Sequence, residues 1–185
     1  MFFFTDNELE FEPDTIQHAY LAILNDDLYA AQNVFQSISS PRADWGCVLC
    51  QILRGEIRKS PTYFQIRNFL EIDMDFLLKN EKIDCVEMLL GSLDYLAKIN
   101  QESYKFAARV MFENKLYKAA QQYMEKSKQY LYQDPELHFM LAKLYIIYHN
   151  YLQAEFYIDE CLKILPHYYP AKLLKAENAK NLIKN

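Results

Sequence analysis

Residues 101–134 read QESYKFAARVMFENKLYKAAQQYMEKSKQYLYQD, and residues 135–168 read PELHFMLAKLYIIYHNYLQAEFYIDECLKILPHY. Laid over one another at a shift of 34, they pair Tyr104 with His138, Ala107 with Leu141, Ala108 with Ala142 and Met111 with Tyr145. The same shift pairs Tyr117 with Tyr151, Ala120 with Ala154, Tyr123 with Tyr157 and Met124 with Ile158. Small side chains meet small ones, and large apolar ones meet large apolar ones. Within each block the apolar positions recur every three or four residues, in two runs separated by Asn114 to Leu116 and by His149 to Asn150. That spacing puts the apolar residues on one face of a helix. The unit is therefore a pair of helices joined by a short turn. Alanines at 108, 120, 142 and 154 let paired helices approach closely, and Met111, Tyr145, Met124 and Ile158 fill the space between adjacent pairs. One further step back places Leu70, Met74, Leu77, Ile83, Val86 and Leu90 in the same slots.

A period of 34 with large, small and aromatic residues in these slots resembles the tetratricopeptide repeat (TPR) family, whose pattern is W-x2-L-G-x2-Y, then A-x3-F, then P. In the block 135–168, His138 stands in the Trp slot, Leu141 and Ala142 in the Leu-Gly slots, Tyr145 in the Tyr slot, Ala154 and Ile158 in the second helix, and Pro166 closes it. The block 101–134 carries Tyr104, Ala107, Ala108, Met111, Ala120 and Met124 in those positions, with Tyr132 in place of the closing proline. In 67–100, Asp73 falls in the Leu slot and Val86 in the small-residue slot. Leu28, Ala31 and Phe35 reproduce the second-helix spacing near the N-terminus, with Thr15, His18, Ala19 and Ala22 on the preceding helix. The resemblance implies an all-α fold, an α-solenoid of antiparallel helix hairpins wound into a TPR-like superhelix.

Polar breaks across the whole chain leave about ten helices, with connections of two to six residues that make neighbours antiparallel. Ser40 before Pro41, Ser60 before Pro61 and Asp134 before Pro135 read as caps of helices that carry proline in the first turn. The expected organisation is an N-terminal extension over 1–13, then a single TPR-like domain over 14–185. That domain holds degenerate repeats at 14–100, clear repeats at 101–134 and 135–168, and a capping helix at 169–185 with a polar outer face.

The 185 residues suffice for one substantial core, and 51% hydrophobic with 24% charged residues is a globular composition. A net charge of -5, with acids and bases mixed along the chain, provides no basic stripe for phosphates, so no nucleic-acid partner is expected. The start, MFFFTDNELEFEP, lacks a basic n-region, and no segment reaches membrane-spanning length. The chain is thus expected to be soluble and cytoplasmic, with no membrane partner. Cysteines at 47, 50, 85 and 161 lie in helical stretches, which suits a reducing compartment.

Chemistry-bearing motifs are sparse. Cys47-Val48-Leu49-Cys50 is a CxxC, but it lacks both the strand-then-helix setting of a redox site and the second ligand pair of a zinc site. Buried structural thiols are the expectation, and a cysteine-based enzyme site is the alternative. His18, His138, His149 and His167 show no metal or catalytic spacing, so His18 and His138 are read as interface residues and His149 and His167 as turn residues. The acids at 71, 73, 75, 159 and 160 are read as solvated helix faces. No catalytic residue, metal ligand or cofactor is expected.

The resemblance implies that first-helix positions away from the core face a bound peptide or partner protein. These are Glu136, Phe139, Lys143, Ile146 and Ile147 in one repeat, and Lys105, Arg109, Phe112 and Glu113 with Glu102 in the preceding one. Phe112, Phe139 and Ile146 are expected to be left uncovered without a visitor, while Lys105, Arg109 and Lys143 pair with its acids. Alternatively, those apolar residues pack on the N-terminal helices or on a second copy, giving a homo-oligomer. The expected function is a non-catalytic scaffold or peptide-binding module. A more specific rival is a chaperone for an exported hydrophobic protein, which small acidic proteins with about three such repeats resemble.

Overall fold

The computed structural model of the protein describes residues 13–184, with side chains from Ile16 to Ile183. The aromatic run of Phe2, Phe3, Phe4 and Phe11, read from sequence as docking on its own fold, lies outside the described residues, as do residues 1–12 of the expected extension. Among the described residues there are eleven helices and no strand. They are α1 (Pro13–Leu24), α2 (Leu28–Gln36), α3 (Pro41–Leu53), α4 (Tyr63–Lys79), α5 (Ile83–Gly91), α6 (Leu93–Leu96), α7 (Ser103–Glu113), α8 (Tyr117–Leu131), α9 (Pro135–Ile147), α10 (Tyr151–Ile164) and α11 (Tyr169–Lys184). The helix beyond the expected ten is α6, a single turn after Gly91 and Ser92. No helix among the described residues is long and apolar enough to cross a membrane. The chain parts into two compact units, Met1–Asn100 and Gln101–Asn185.

Side-chain caps set several helix starts. Asp27 accepts from the Ala30 amide, Ser40 from Ala43 ahead of α3, and Asn150 from Gln153 ahead of α10. Asp134 caps α9 by accepting from the amides of Glu136 and Leu137, as its Asp-Pro sequence predicts. The expected cap at Ser60 is overturned. Thr62 and Gln65 form a reciprocal capping box that starts α4 two residues later, and the Ser60 hydroxyl instead bonds to that of Tyr95.

Four hairpin turns share one device. Asp26, Glu81, Lys115 and His149 adopt φ near +60°, and the last three stand 34 residues apart. After each, a backbone amide reaches back to the helix it leaves, as from Leu116 to the Met111 carbonyl (2.8 Å) and from Asn150 to that of Tyr145 (2.8 Å). This is the Schellman termination, which usually recruits glycine at the left-handed position. At these four turns a polar residue takes that place, whereas the turn after α3 uses Gly55 (φ 70°).

In the first unit, α1 pairs with α2, α2 with α3 and α4 with α5 around Ile23, Phe35, Leu49, Ile52, Leu70 and Leu77, all buried. Gly46 of α3 is required by close approach, since a Cβ there would lie 2.5 Å from the ring of Phe35. In the second unit, α7 pairs with α8, α9 with α10 and α10 with α11. Ala108, Ala120, Ala142 and Ala154 are all fully buried, as the repeat pattern predicts. His138 also fills its aromatic slot, stacked on Tyr157 (5.9 Å) and edge-on to Tyr132 (5.1 Å), with Nε2 2.7 Å from the Tyr132 carbonyl. His18, read as an interface residue, is exposed instead, because its helix turns Ala19 and Ile23 inward.

Candidate functional site

The sequence-predicted partner residues of the second unit fall into two neighbouring clusters on α7 and α9. The first is ionic. Lys105 is buried, and its Nζ lies 2.6 Å from Asp134, 3.0 Å from Glu102 and 3.3 Å from Glu136. Arg109 reaches Glu136 at 2.7 Å. Burial pulls the Lys105 ammonium down in pKa, but hydrogen bonds and charge from Asp134, Glu102 and Glu136 outweigh it and hold the group above its ordinary value. Asp134 thus caps α9 with one oxygen and grips α7 with the other.

This corrects one expectation. Lys105 and Arg109 do not wait for a ligand's acids, because the protein's own carboxylates already engage them. Three acids surround two bases, so this part of the face carries no surplus positive charge. The sequence predicts Glu136 and Glu102 on the face, but not that they answer these two cations from within.

The second cluster is aromatic. The Lys143 ammonium lies 5.1 Å from the ring centre of Phe112 and 5.6 Å from that of Phe139. Such contacts stabilise an exposed cation by about 0.5–1 kcal/mol while leaving its N–H groups available. Phe139 meets Tyr168 edge-on at 5.3 Å, and Phe112 meets Tyr117 at 5.6 Å. Phe112, Phe139 and Ile146 are half-buried rather than stranded in water, and for the two phenylalanines neighbouring rings and the Lys143 ammonium supply part of the cover. Ile147 and Glu113 are exposed. Tyr168, just before α11, was not among the predicted residues. Its signal is its place after the closing Pro166, where the chain turns back beside the first helix.

In the first unit the structure gathers polar groups that the sequence reading leaves apart. Asp73, read as solvated, is fully buried in α4. It accepts from the Tyr20 hydroxyl of α1 (3.0 Å), from both terminal nitrogens of Arg42 and from Trp45 Nε1 of α3 (2.5 Å). Arg42 in turn lies over the rings of Tyr20 and Phe69. Burial, then the charge of Asp73, pushes the Tyr20 hydroxyl well above its usual range. The carboxylate in the repeat's leucine slot is therefore a junction of three helices.

The CxxC lies within α3, away from its N-terminus. Burial pushes the Cys50 thiol up to about 12 and raises Cys47 as well, the reverse of the depressed value that activates a nucleophilic cysteine. Among the described residues, no group of three or more His, Cys, Asp or Glu side chains is placed to hold a metal ion.

No family model matches the chain, and no curated protein matches it. Among solved structures it is similar to the C-terminal part of a TPR repeat-containing protein from Cytophaga hutchinsonii. The two share 17% identity and a TM-score of 0.50, over 91% of this chain and 72% of that one. The likeness is one of fold, reached independently of the 34-residue pattern.

Proposed function

We propose, with the tetratricopeptide-repeat fold as premise, that this all-α protein is a non-catalytic interaction module. On this reading it holds an extended peptide of a partner protein across α7 and α9. The observation that carries the reading is Lys143, whose ammonium rests on Phe112 and Phe139 with no carboxylate bonded to it among the described residues. Lys105 and Arg109 are satisfied internally, which leaves Lys143 as the cation on this face suited to a ligand carboxylate. The rings of Phe112, Phe139 and Tyr168 offer apolar side chains a place directly beside it. The ligand this favours carries an acidic residue flanked by apolar ones. The four cysteines are free thiols, three of them buried, which supports a reducing, cytoplasmic setting.

Affinity capture from the native extract tests the reading. Lys143→Glu and Phe139→Glu are each expected to weaken capture of the partner at least about ten-fold, roughly what a desolvated interface residue contributes. Arg109→Glu is expected to weaken it less, because Glu136 already engages that arginine. A partner retained at full strength by both of the first two variants places binding elsewhere.

A further inference from the structure

The last helix has the register of a first helix, and among the described helices its main partner is α10, on one face. Tyr169 follows Pro135 by 34 residues, and Ala176 follows Ala142 by 34, as Ala142 follows Ala108. Ala108 and Ala142 are fully buried, in helices that pair with α8 and α10. Ala176 is exposed. The inner face of α11 is firmly seated on α10. Ala171 and Asn178 are fully buried, Asn178 donates to the Tyr151 carbonyl (3.0 Å) and to Glu155 (2.9 Å), and Lys175 reaches Asp159 (2.6 Å). The opposite face carries Tyr169, Leu173, Ala176, Lys180 and Ile183 at alternating steps of four and three, the spacing of a helix–helix seam. Tyr169 is 66% exposed, Leu173 54% and Ile183 86%, so the outer face of α11 carries large apolar side chains among its polar ones.

Charge decides which occupant suits this seam. Lys180 stands within it and Lys172 beside it, with Glu177 as the acid on its other flank, and all three are exposed. Two copies of α11 side by side in parallel would set Lys180 against Lys180 inside the seam, a cost that the exposed Lys172–Glu177 pairs on its flanks offset only in part. Antiparallel about Ala176, they would set Glu177 against Glu177. A helix with carboxylates on its flanks instead meets both lysines favourably, with no like pair.

We propose that the outer face of α11 docks an acidic amphipathic helix of a partner protein, seated where the second helix of a repeat would lie, with a small residue over Ala176. The chain supplies natural probes. Helix α10 has the second-helix pattern, with Ala154 in the small slot, and carries Glu155, Asp159 and Glu160 against Lys163. Helix α8 has the same pattern with opposite charge, Lys118, Lys126 and Lys128 against Glu125.

The test titrates the full chain, under reducing conditions, into fluorescent synthetic peptides covering 150–165 and 116–131, each keeping its own cap residue. The 150–165 peptide is expected to bind, and the 116–131 peptide at least about ten-fold more weakly. Leu173→Glu and Lys180→Glu, both at exposed positions that do not disturb folding, are each expected to weaken the first by at least about ten-fold. Lys143→Glu, at an exposed position of α9, is expected to leave it unchanged, which separates this site from the face on α7 and α9. The proposal is overturned if the 150–165 peptide does not bind, if the two peptides bind alike, or if Lys143→Glu rather than Leu173→Glu abolishes binding. It is equally overturned if light scattering finds a dimer of the free protein that Leu173→Glu dissolves, since a second copy then covers the seam.

Discussion

The two units hold charge between their helices in opposite ways. In the first, a single carboxylate, Asp73, is fully buried and answered by Arg42, Tyr20 and Trp45 from two other helices. In the second, Lys105 is buried but its partners Glu102, Asp134 and Glu136 keep contact with water. A desolvated charge cannot lose one partner without stranding another, whereas a cluster at the rim can exchange partners at little cost. The first arrangement suits a structural junction. The second suits a face that meets other molecules.

The largest effect is expected where that contrast is sharpest. Asp73→Leu restores the residue that the repeat pattern calls for, yet it leaves Arg42 without its carboxylate and Trp45 Nε1 without an acceptor. Urea unfolding is expected to show a loss of about 3–5 kcal/mol. Adding Arg42→Met to Asp73→Leu is expected to recover the part owed to the stranded guanidinium, while Trp45 Nε1 and the Tyr20 hydroxyl still lack their acceptor. By contrast Glu136→Gln, at the rim of the second unit, is expected to cost no more than about 1 kcal/mol. Equal losses from Asp73→Leu and Glu136→Gln would erase the distinction between the units.

A smaller effect appears at high pH. Burial pushes Cys50 up from an ordinary value near 9 to about 12. Because the raised value favours the neutral thiol in the fold, its contribution is complete below pH 9. It then declines as the unfolded chain gains thiolate between pH 9 and 12. Thermal melts are expected to fall steadily over that range, by up to about 4 kcal/mol in stability at its upper end. Cys50→Ala is expected to flatten the decline, whereas Cys47→Ala, at a half-buried position, is expected to change it little. Identical pH profiles for Cys50→Ala and the parent protein would remove the thiol from the account.

How far each unit was legible in the sequence follows from the same physics. Where helices meet through alanines, as at Ala108, Ala142 and Ala154, residue size alone dictates the packing, so periodicity finds the pair and even places His138 in its aromatic slot. Where they meet through a shared carboxylate, the pattern misleads, because Asp73 is defined by side chains 28 to 53 residues away that no local spacing brings together. The candidate site was half legible for a related reason. Register predicted which residues share the face of α7 and α9, but which cation Asp134 would satisfy depends on three-dimensional reach. The cap at Thr62 escaped because Ser60-Pro61 offers the same local chemistry two residues earlier, and only the reciprocal bond to Gln65 decides between them.

The smallest effect tests what the two units have in common. Glu81 in the first unit and Lys115 in the second hold φ of 60° and 62° at equivalent turns. A left-handed backbone costs a residue with a Cβ about 1–2 kcal/mol, and glycine nothing. Glycine also gives the unfolded chain more freedom, which takes back about 0.4–1 kcal/mol. The difference leaves Glu81→Gly and Lys115→Gly each stabilising by roughly 0.5–1 kcal/mol, read as a rise in the denaturation midpoint. Among the described residues neither side chain makes a hydrogen bond or ion pair, and the turn amides that follow, Lys82 and Leu116, bond backward whatever the side chain. Similar gains at both sites would mean that the turns are one device repeated on either side of Asn100. A gain at Lys115 with a loss at Glu81 would mean that the less regular unit relies on its turn residue for something beyond the bend.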